Sequence, residues 1–167
     1  MEVFMKRTVL LTVALLLLVS GALFAQNTDN RVFGMELGFL AGYDLGPTSE
    51  SFAGRTFAFH VPVSDSMQFG VKAVRGTVQT VGVMNYVLMS AQYFLSPQLG
   101  VEVMAGQENN LNNDVAGGAN VFFSILKSQS EEGLSSSLKA QAGYLFDVTE
   151  GLAEGTLNFG LVGSFGL

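Results

Sequence analysis

Residues 32–46 read VFGMELGFLAGYDLG, and their phase decides the fold. The odd positions Phe33, Met35, Leu37, Phe39, Ala41, Tyr43 and Leu45 are all apolar, while the even ones are led by Gly34, Glu36, Gly38, Gly42 and Asp44. Successive side chains of a strand point to opposite faces, so this stretch predicts a strand with one greasy face from end to end. A helix would need apolar residues three and four apart with caps at the ends. No stretch after the first thirty residues offers that.

The alternation returns down the chain. Ala53, Phe57, Phe59, Val61 and Val63 share a face interrupted by Arg55, and Met67, Phe69, Val71 and Ala73 oppose Gln68, Gly70, Lys72 and Val74. Leu99, Val101, Val103 and Ala105 oppose Gly100, Glu102, Met104 and Gly106; Ala119, Val121, Phe123 and Ile125 oppose Gly118, Asn120, Phe122 and Ser124. Leu134, Leu138, Ala140, Ala142, Tyr144, Phe146 and Val148 oppose Ser135, Ser137, Lys139, Gln141, Gly143 and Asp147. In the last segment Leu157, Phe159, Leu161, Phe165 and Leu167 oppose Asn158, Gly160, Val162, Ser164 and Gly166. An eighth strand fits between Thr77 and Pro97, where both faces are apolar. The preferred phase turns Val87, Met89, Ala91, Tyr93 and Leu95 outward and leaves Asn85 as the one polar outward residue; the other phase exposes Ser90 and Gln92. Turn chemistry falls at 46–50, 64–66, 96–98, 109–114, 127–133 and 149–151, a spacing that suits up-and-down hairpins.

The N-terminus differs in kind. Lys6 and Arg7 precede an apolar run from Thr8 to Val19 and small residues up to Ala25, the layout of a secretory signal peptide. The run is shorter than the roughly 20 residues that a spanning helix needs. Residues 1–25 are therefore expected to be removed, with Ala22 as the alternative cleavage point, and residues 26–167 to form one exported domain. That domain carries 6 Lys+Arg against 13 Asp+Glu, which argues against a nucleic-acid binder. With no Cys, a disulfide scaffold or thiolate zinc site is excluded.

Alternation does not say which face is inside, because a soluble barrel buries the greasy face that a membrane barrel shows to lipid. The second face is the guide. It is led by Gly and isolated polar residues rather than by the Lys, Glu and Thr of a watered surface, and only 13% of the chain is charged. Small residues and a few charges are what a narrow eight-stranded interior holds, and closure leaves no unpaired edge in lipid. The expected fold is all-β, an eight-stranded antiparallel up-and-down transmembrane β-barrel. A soluble periplasmic sandwich or lipocalin-like binder, its pocket lined by the greasy face, is the rival.

The leader, segments such as YFLSPQLGVEVMAG at 93–106, and the last strand LNFGLVGSFGL resemble the small outer-membrane β-barrel family, of OmpA/OmpX-like or OmpW-like kind. The resemblance implies an outer-membrane location in a diderm bacterium, export by the general secretory route, and recognition by periplasmic chaperones and the barrel-assembly machinery. Members usually end on Phe or Trp; here Phe165 fits that pattern and Leu167 follows it.

No phosphate loop, metal-ligand spacing or nucleophile motif appears, so neither an enzyme nor a cofactor is expected. The single histidine, His60, falls on the inward face with Asn120, Gln141 and Asn158, and is read as an interior imidazole. Glu36, Lys72, Glu102 and Lys139 lie inward on the first, third, fifth and seventh strands and alternate in sign. A charge in a narrow lumen is tolerable only if paired or hydrated, so they are expected to form a neutral layer that plugs it. An ion-selective constriction is the alternative, and the inward glycines, which leave space, speak for it. Phe33, Phe39, Tyr43, Phe57, Phe59, Phe69, Tyr93, Phe123, Tyr144, Phe146, Phe159 and Phe165 are expected to face lipid. Asp44, Glu50, Glu108, Asp114, Asp147, Glu150 and Glu154, with Arg75, are assigned to an outer rim. On the inward face, Gly42 is expected to accept Ser. The expected role is structural or surface-interacting as a monomer in outer-membrane lipid; a narrow channel for small or hydrophobic solutes is the second reading.

Overall fold

The computed structural model describes residues 33–46, 49–79, 82–109, 114–129, 134–147 and 155–166. The expected signal peptide lies outside them. Eight strands follow in chain order: β1 (Gly34–Asp44), β2 (Ser51–Ser64), β3 (Met67–Val78), β4 (Gly82–Phe94), β5 (Leu99–Glu108), β6 (Val115–Gln129), β7 (Ser135–Asp147) and β8 (Gly155–Gly166). Each pairs antiparallel with its sequence neighbours, and β8 pairs with β1, closing the barrel. Among the described residues there is no helix.

Following the pairing once around, Gly34 leads through His60, Gly70, Ser90, Met104, Gly118, Leu145 and Thr156 back to Asp44, ten residues further along β1. A shear of this size tilts the strands by about 40° from the axis and leaves an interior that side chains fill. Rows of paired residues therefore climb toward the end where β1 meets β2 as they pass from β1 to β5.

The two ends of the barrel differ. At one, β2 passes to β3 through Asp65 and Ser66, and β4 to β5 through 95–98, where the Ser96 hydroxyl accepts hydrogen bonds from the backbone N–H of Gln98 and Leu99. At the other, β1, β3, β5 and β7 finish, the sequence separations to the following strands being longer after β1, β5 and β7, and Gly82 at the start of β4 takes a φ of 90° that a larger residue rarely adopts.

The greasy face is outside. Phe39 is 78% exposed, and Leu37, Val87, Val103, Val121, Phe159 and Leu161 are exposed beside it, while Glu36, His60, Lys72, Glu102, Asn120 and Lys139 are buried within. This is the reverse of a lipocalin, whose apolar face would line the pocket. The open phase of β4 is settled too: Ser90 and Gln92 are buried and Val87 and Tyr93 exposed.

Three expectations are corrected. Val63, assigned outward, is 4% exposed, because a register shift between Pro62 and Ser64 breaks the two-residue period at the end of β2. Glu108, assigned to the rim, is the last residue of β5 and is buried on its inward face, in phase with Glu102. The turn placed at 127–133 begins later, since β6 continues to Gln129 beyond a second shift between Ser124 and Leu126; there the Lys127 ammonium donates to the Pro97 carbonyl and ties this extension to the β4–β5 turn.

Candidate functional site

Every inward polar group sits on a strand whose opposite face is mainly apolar, so the site follows from alternation and closure together. Glu36 is third in β1, Lys72 sixth in β3, Glu102 fourth in β5 and Lys139 fifth in β7. The climb of the paired rows compensates for these unequal positions. At roughly 3 Å of climb per strand and 2.5 Å of height per residue, the four lie within about 8 Å along the axis, in the half nearer the short turns.

They meet as two ion pairs. Lys72 Nζ lies 2.5 Å from Glu102 Oε2, both residues being 1% exposed, and Lys139 Nζ lies 2.5 Å from Glu36 Oε1. Each pair reaches across one intervening strand, β4 in the first case and β8 in the second. The Gln92 amide joins them, its Nε2 standing 3.3 Å from both Glu36 oxygens and 3.3 Å from Glu102 Oε1. Asn120 Nδ2 donates to Glu102 Oε2 at 2.7 Å. The Lys139 ammonium is also covered by aromatic faces, 4.9 Å from the Phe122 ring centre and 5.7 Å from that of Phe94.

His60, Ser90 and Glu102 contain the residue types of a hydrolytic triad, but not its arrangement. His60 Nε2 lies 3.0 Å from Ser90 Oγ and 3.6 Å from Glu102 Oε1, so hydroxyl and carboxylate compete for one ring nitrogen. A relay needs the acid on the other nitrogen, and Nδ1 is buried without a partner among the described residues. Gln141 and Asn158 stand apart from the network: Gln141 Nε2 and both polar atoms of the Asn158 amide are buried and unpartnered among the described residues.

Above these four charges, toward the longer connections, an apolar cluster dominates the interior, with Glu108, Thr156 and Asn158 buried beside it. Leu40, Phe52, Val74, Val78, Tyr86, Leu88, Met104, Ala116 and Leu145 pack into one buried cluster. The inward glycines make room for it. A Cβ on Gly76 would fall 1.9 Å from the Phe52 ring and one on Gly54 2.8 Å from it; on Gly100 it would fall 2.3 Å from Phe122, and on Gly160 2.5 Å from a Leu40 methyl. These glycines are recesses occupied by neighbouring side chains, contrary to their reading as open space. Gly42 is tight in another way: a Cβ there would meet the Leu157 carbonyl oxygen at 1.8 Å, so the expected tolerance of Ser is corrected.

The aromatic set lies on the outer wall. Phe39, Tyr43, Phe59, Tyr93, Phe123, Phe159 and Phe165 are exposed, and Phe33, Phe57, Phe69, Tyr144 and Phe146 half-buried. Sequence reasoning missed the part played by Gln92 and by the inward rings Phe52, Tyr86 and Phe94, whose signal was their parity, opposite to the outward faces of β2 and β4. Of the rim assigned from sequence, Asp44, Glu50 and Asp114 are half-buried at the long-connection end, Arg75 stands on the outer wall, and Glu150 and Glu154 lie outside the described residues.

No protein-family model matches the chain, and no curated protein does. Among solved structures, a chain described as "De novo design of transmembrane beta-barrels" aligns over 84% of this chain and 100% of its own length, at 15% identity and a TM-score of 0.49.

Proposed function

We propose that this chain is a small integral outer-membrane β-barrel whose lumen is sealed and whose role is structural or surface-interacting rather than catalytic. One observation carries the membrane reading: the distribution of polarity is inverted relative to a soluble protein. Phe39, Leu37, Val103, Phe159 and Leu161 stand outward on a closed wall while two ion pairs lie inside. Soluble monomers rarely expose apolar patches beyond a few hundred Å², whereas a barrel in lipid must. Closure satisfies the backbone of every strand without water. The leader pattern at residues 1–25 supports export, and with it the general secretory route and the barrel-assembly machinery.

The sealed lumen is supported by its two layers. Charges pair across the short-turn half, and Phe52, Val78, Leu88 and Leu145, each 2% exposed or less, fill the other half into the recesses at Gly54 and Gly76. The narrow channel draws on a different observation, the unpartnered polar atoms of Thr56, Gln141 and Asn158, which water would satisfy. Planar-bilayer recording of the purified mature protein separates the two. A quiet bilayer with protein shown to be inserted is the expected result, and reproducible unitary steps would establish the channel. Recovery of the mature protein from the soluble periplasm, instead of from detergent-extracted membranes, would refute the membrane reading itself.

A further inference from the structure

The apolar outer wall carries two cations side by side. Arg55 on β2 and Arg75 on β3 are direct cross-strand partners, and both are exposed. Partners in this position hold their Cβ atoms about 5 Å apart, where like charges repel. Neither guanidinium has a hydrogen bond or an ion pair with any other described residue. The outward row continues in both directions, since Phe39 on β1 pairs with Arg55, and Asn85 on β4 pairs with Arg75. Thr77, also exposed, stands two residues beyond Arg75 on the same face.

The tilt of the strands gives this row its place in the wall. It starts at Phe39, midway along β1, and climbs roughly 3 Å per strand, ending where the Asn85 carbonyl accepts from Asn109 just past the end of β5. Arg75 is three residues short of the end of β3, and its long side chain reaches further toward water than its Cα. By that climb the Cα atoms of Arg55 and Arg75 stand about 7 and 4 Å short of Tyr43, within the reach of a guanidinium extended toward the headgroups. Two planar cations that repel each other, with an amide and a hydroxyl beside them and no carboxylate, are complementary to an oxyanion set between them. Phosphate fits best, because it accepts paired N–H groups from each guanidinium.

We propose that Arg55, Arg75, Asn85 and Thr77 form a binding site for the phosphate of an anionic lipid headgroup, in the leaflet at the long-connection end of the barrel. The inference rests on the membrane reading above. Its position selects lipid over a free anion: Phe57, Ala73, Val83 and Val87 flank the row on the outer wall, where acyl chains lie and a soluble anion would leave water.

The test refolds the wild-type barrel and the variant R55Q/R75Q into phosphatidylcholine vesicles, with and without a minor fraction of phosphatidylglycerol. Urea midpoints are followed by circular dichroism, and lipid retention by native mass spectrometry. In pure phosphatidylcholine the variant should be at least as stable as the wild type, because a like-charge contact is gone. Phosphatidylglycerol should raise the wild-type midpoint in a salt-sensitive way and leave the variant nearly unmoved, with retention of the anionic lipid weakened at least about tenfold. An equal gain in both proteins would overturn the site. So would an equal gain from inorganic phosphate added to pure phosphatidylcholine, which would mark a general anion site. Normal insertion without any preference for phosphatidylglycerol rejects the site alone, whereas failure to insert into either vesicle rejects the membrane reading and the site with it.

Discussion

Lys72→Met removes the lysine paired with Glu102, whose Oε2 lies 2.5 Å from Lys72 Nζ in surroundings where both residues are 1% exposed. Breaking a buried ion pair from one side costs about 3–5 kcal/mol, because the partner's charge stays behind without compensation. Glu102 would keep Asn120 at 2.7 Å and Gln92 at 3.3 Å, with His60 at 3.6 Å, which sets this loss near the lower end, about 3 kcal/mol. Glu102→Gln strands Lys72, whose only ion pair is with Glu102 among the described residues, and belongs near the upper end, about 4–5 kcal/mol. With both changed no net charge is left unpaired, so the double variant should recover at least about 2 kcal/mol of the summed loss. The control cycle couples Lys72→Met with Glu36→Gln. Lys72 does not touch Glu36, which it meets only through space and by way of Glu102 and Gln92, so their coupling should stay well below that of the contacting pair. The assay is urea unfolding of the barrel in phosphatidylcholine vesicles, read by circular dichroism because the chain has no Trp. Losses for Lys72→Met and Glu102→Gln that add within about 0.5 kcal/mol would refute the pairing, as would an equally large coupling in the control cycle.

Phe39→Arg should destabilise the barrel in bilayers by about 2–4 kcal/mol, because Phe39 is 78% exposed at the middle of β1, and its direct neighbour Arg55 adds repulsion; a vesicle unfolding curve that does not move would place this face away from lipid. Gly76→Val should cost about 1–3 kcal/mol by forcing the Phe52 ring from its recess, and F52A in the same chain should recover part of the loss, read as the fraction of heat-modifiable folded protein on a gel. If G76V behaves like wild type, the upper lumen is looser than the packing of Phe52 implies.

The residues differ in how far they could be read in advance. That Phe39 faces out and Glu36, Lys72, Glu102 and Lys139 face in was legible from a two-residue period, because the direction of a strand side chain depends on its parity alone. The number of strands and the antiparallel order followed from the turn residues between them. Parity fails where the chain breaks it: the shift between Pro62 and Ser64 turned Val63 inward, and no local pattern announced it. Space was also hidden from sequence. Gly42 and Gly76 look alike on the inward face, yet one is pressed by the Leu157 backbone and the other holds the Phe52 ring, which only the approach of other strands determines.

The charges mark the same boundary between local and non-local information. Their alternation in sign around the barrel was visible along the chain, but four neighbouring pairings were open. The β3–β4 and β4–β5 registers bring Glu102 to Lys72, and closure through β8 brings Glu36 to Lys139, with Gln92 between the carboxylates. Which strand face a side chain occupies is settled by its own chain neighbours. Which group it meets depends on the registers of the strands between them, and a slip of two residues in one strand preserves every inward and outward direction while changing the partners made across that strand.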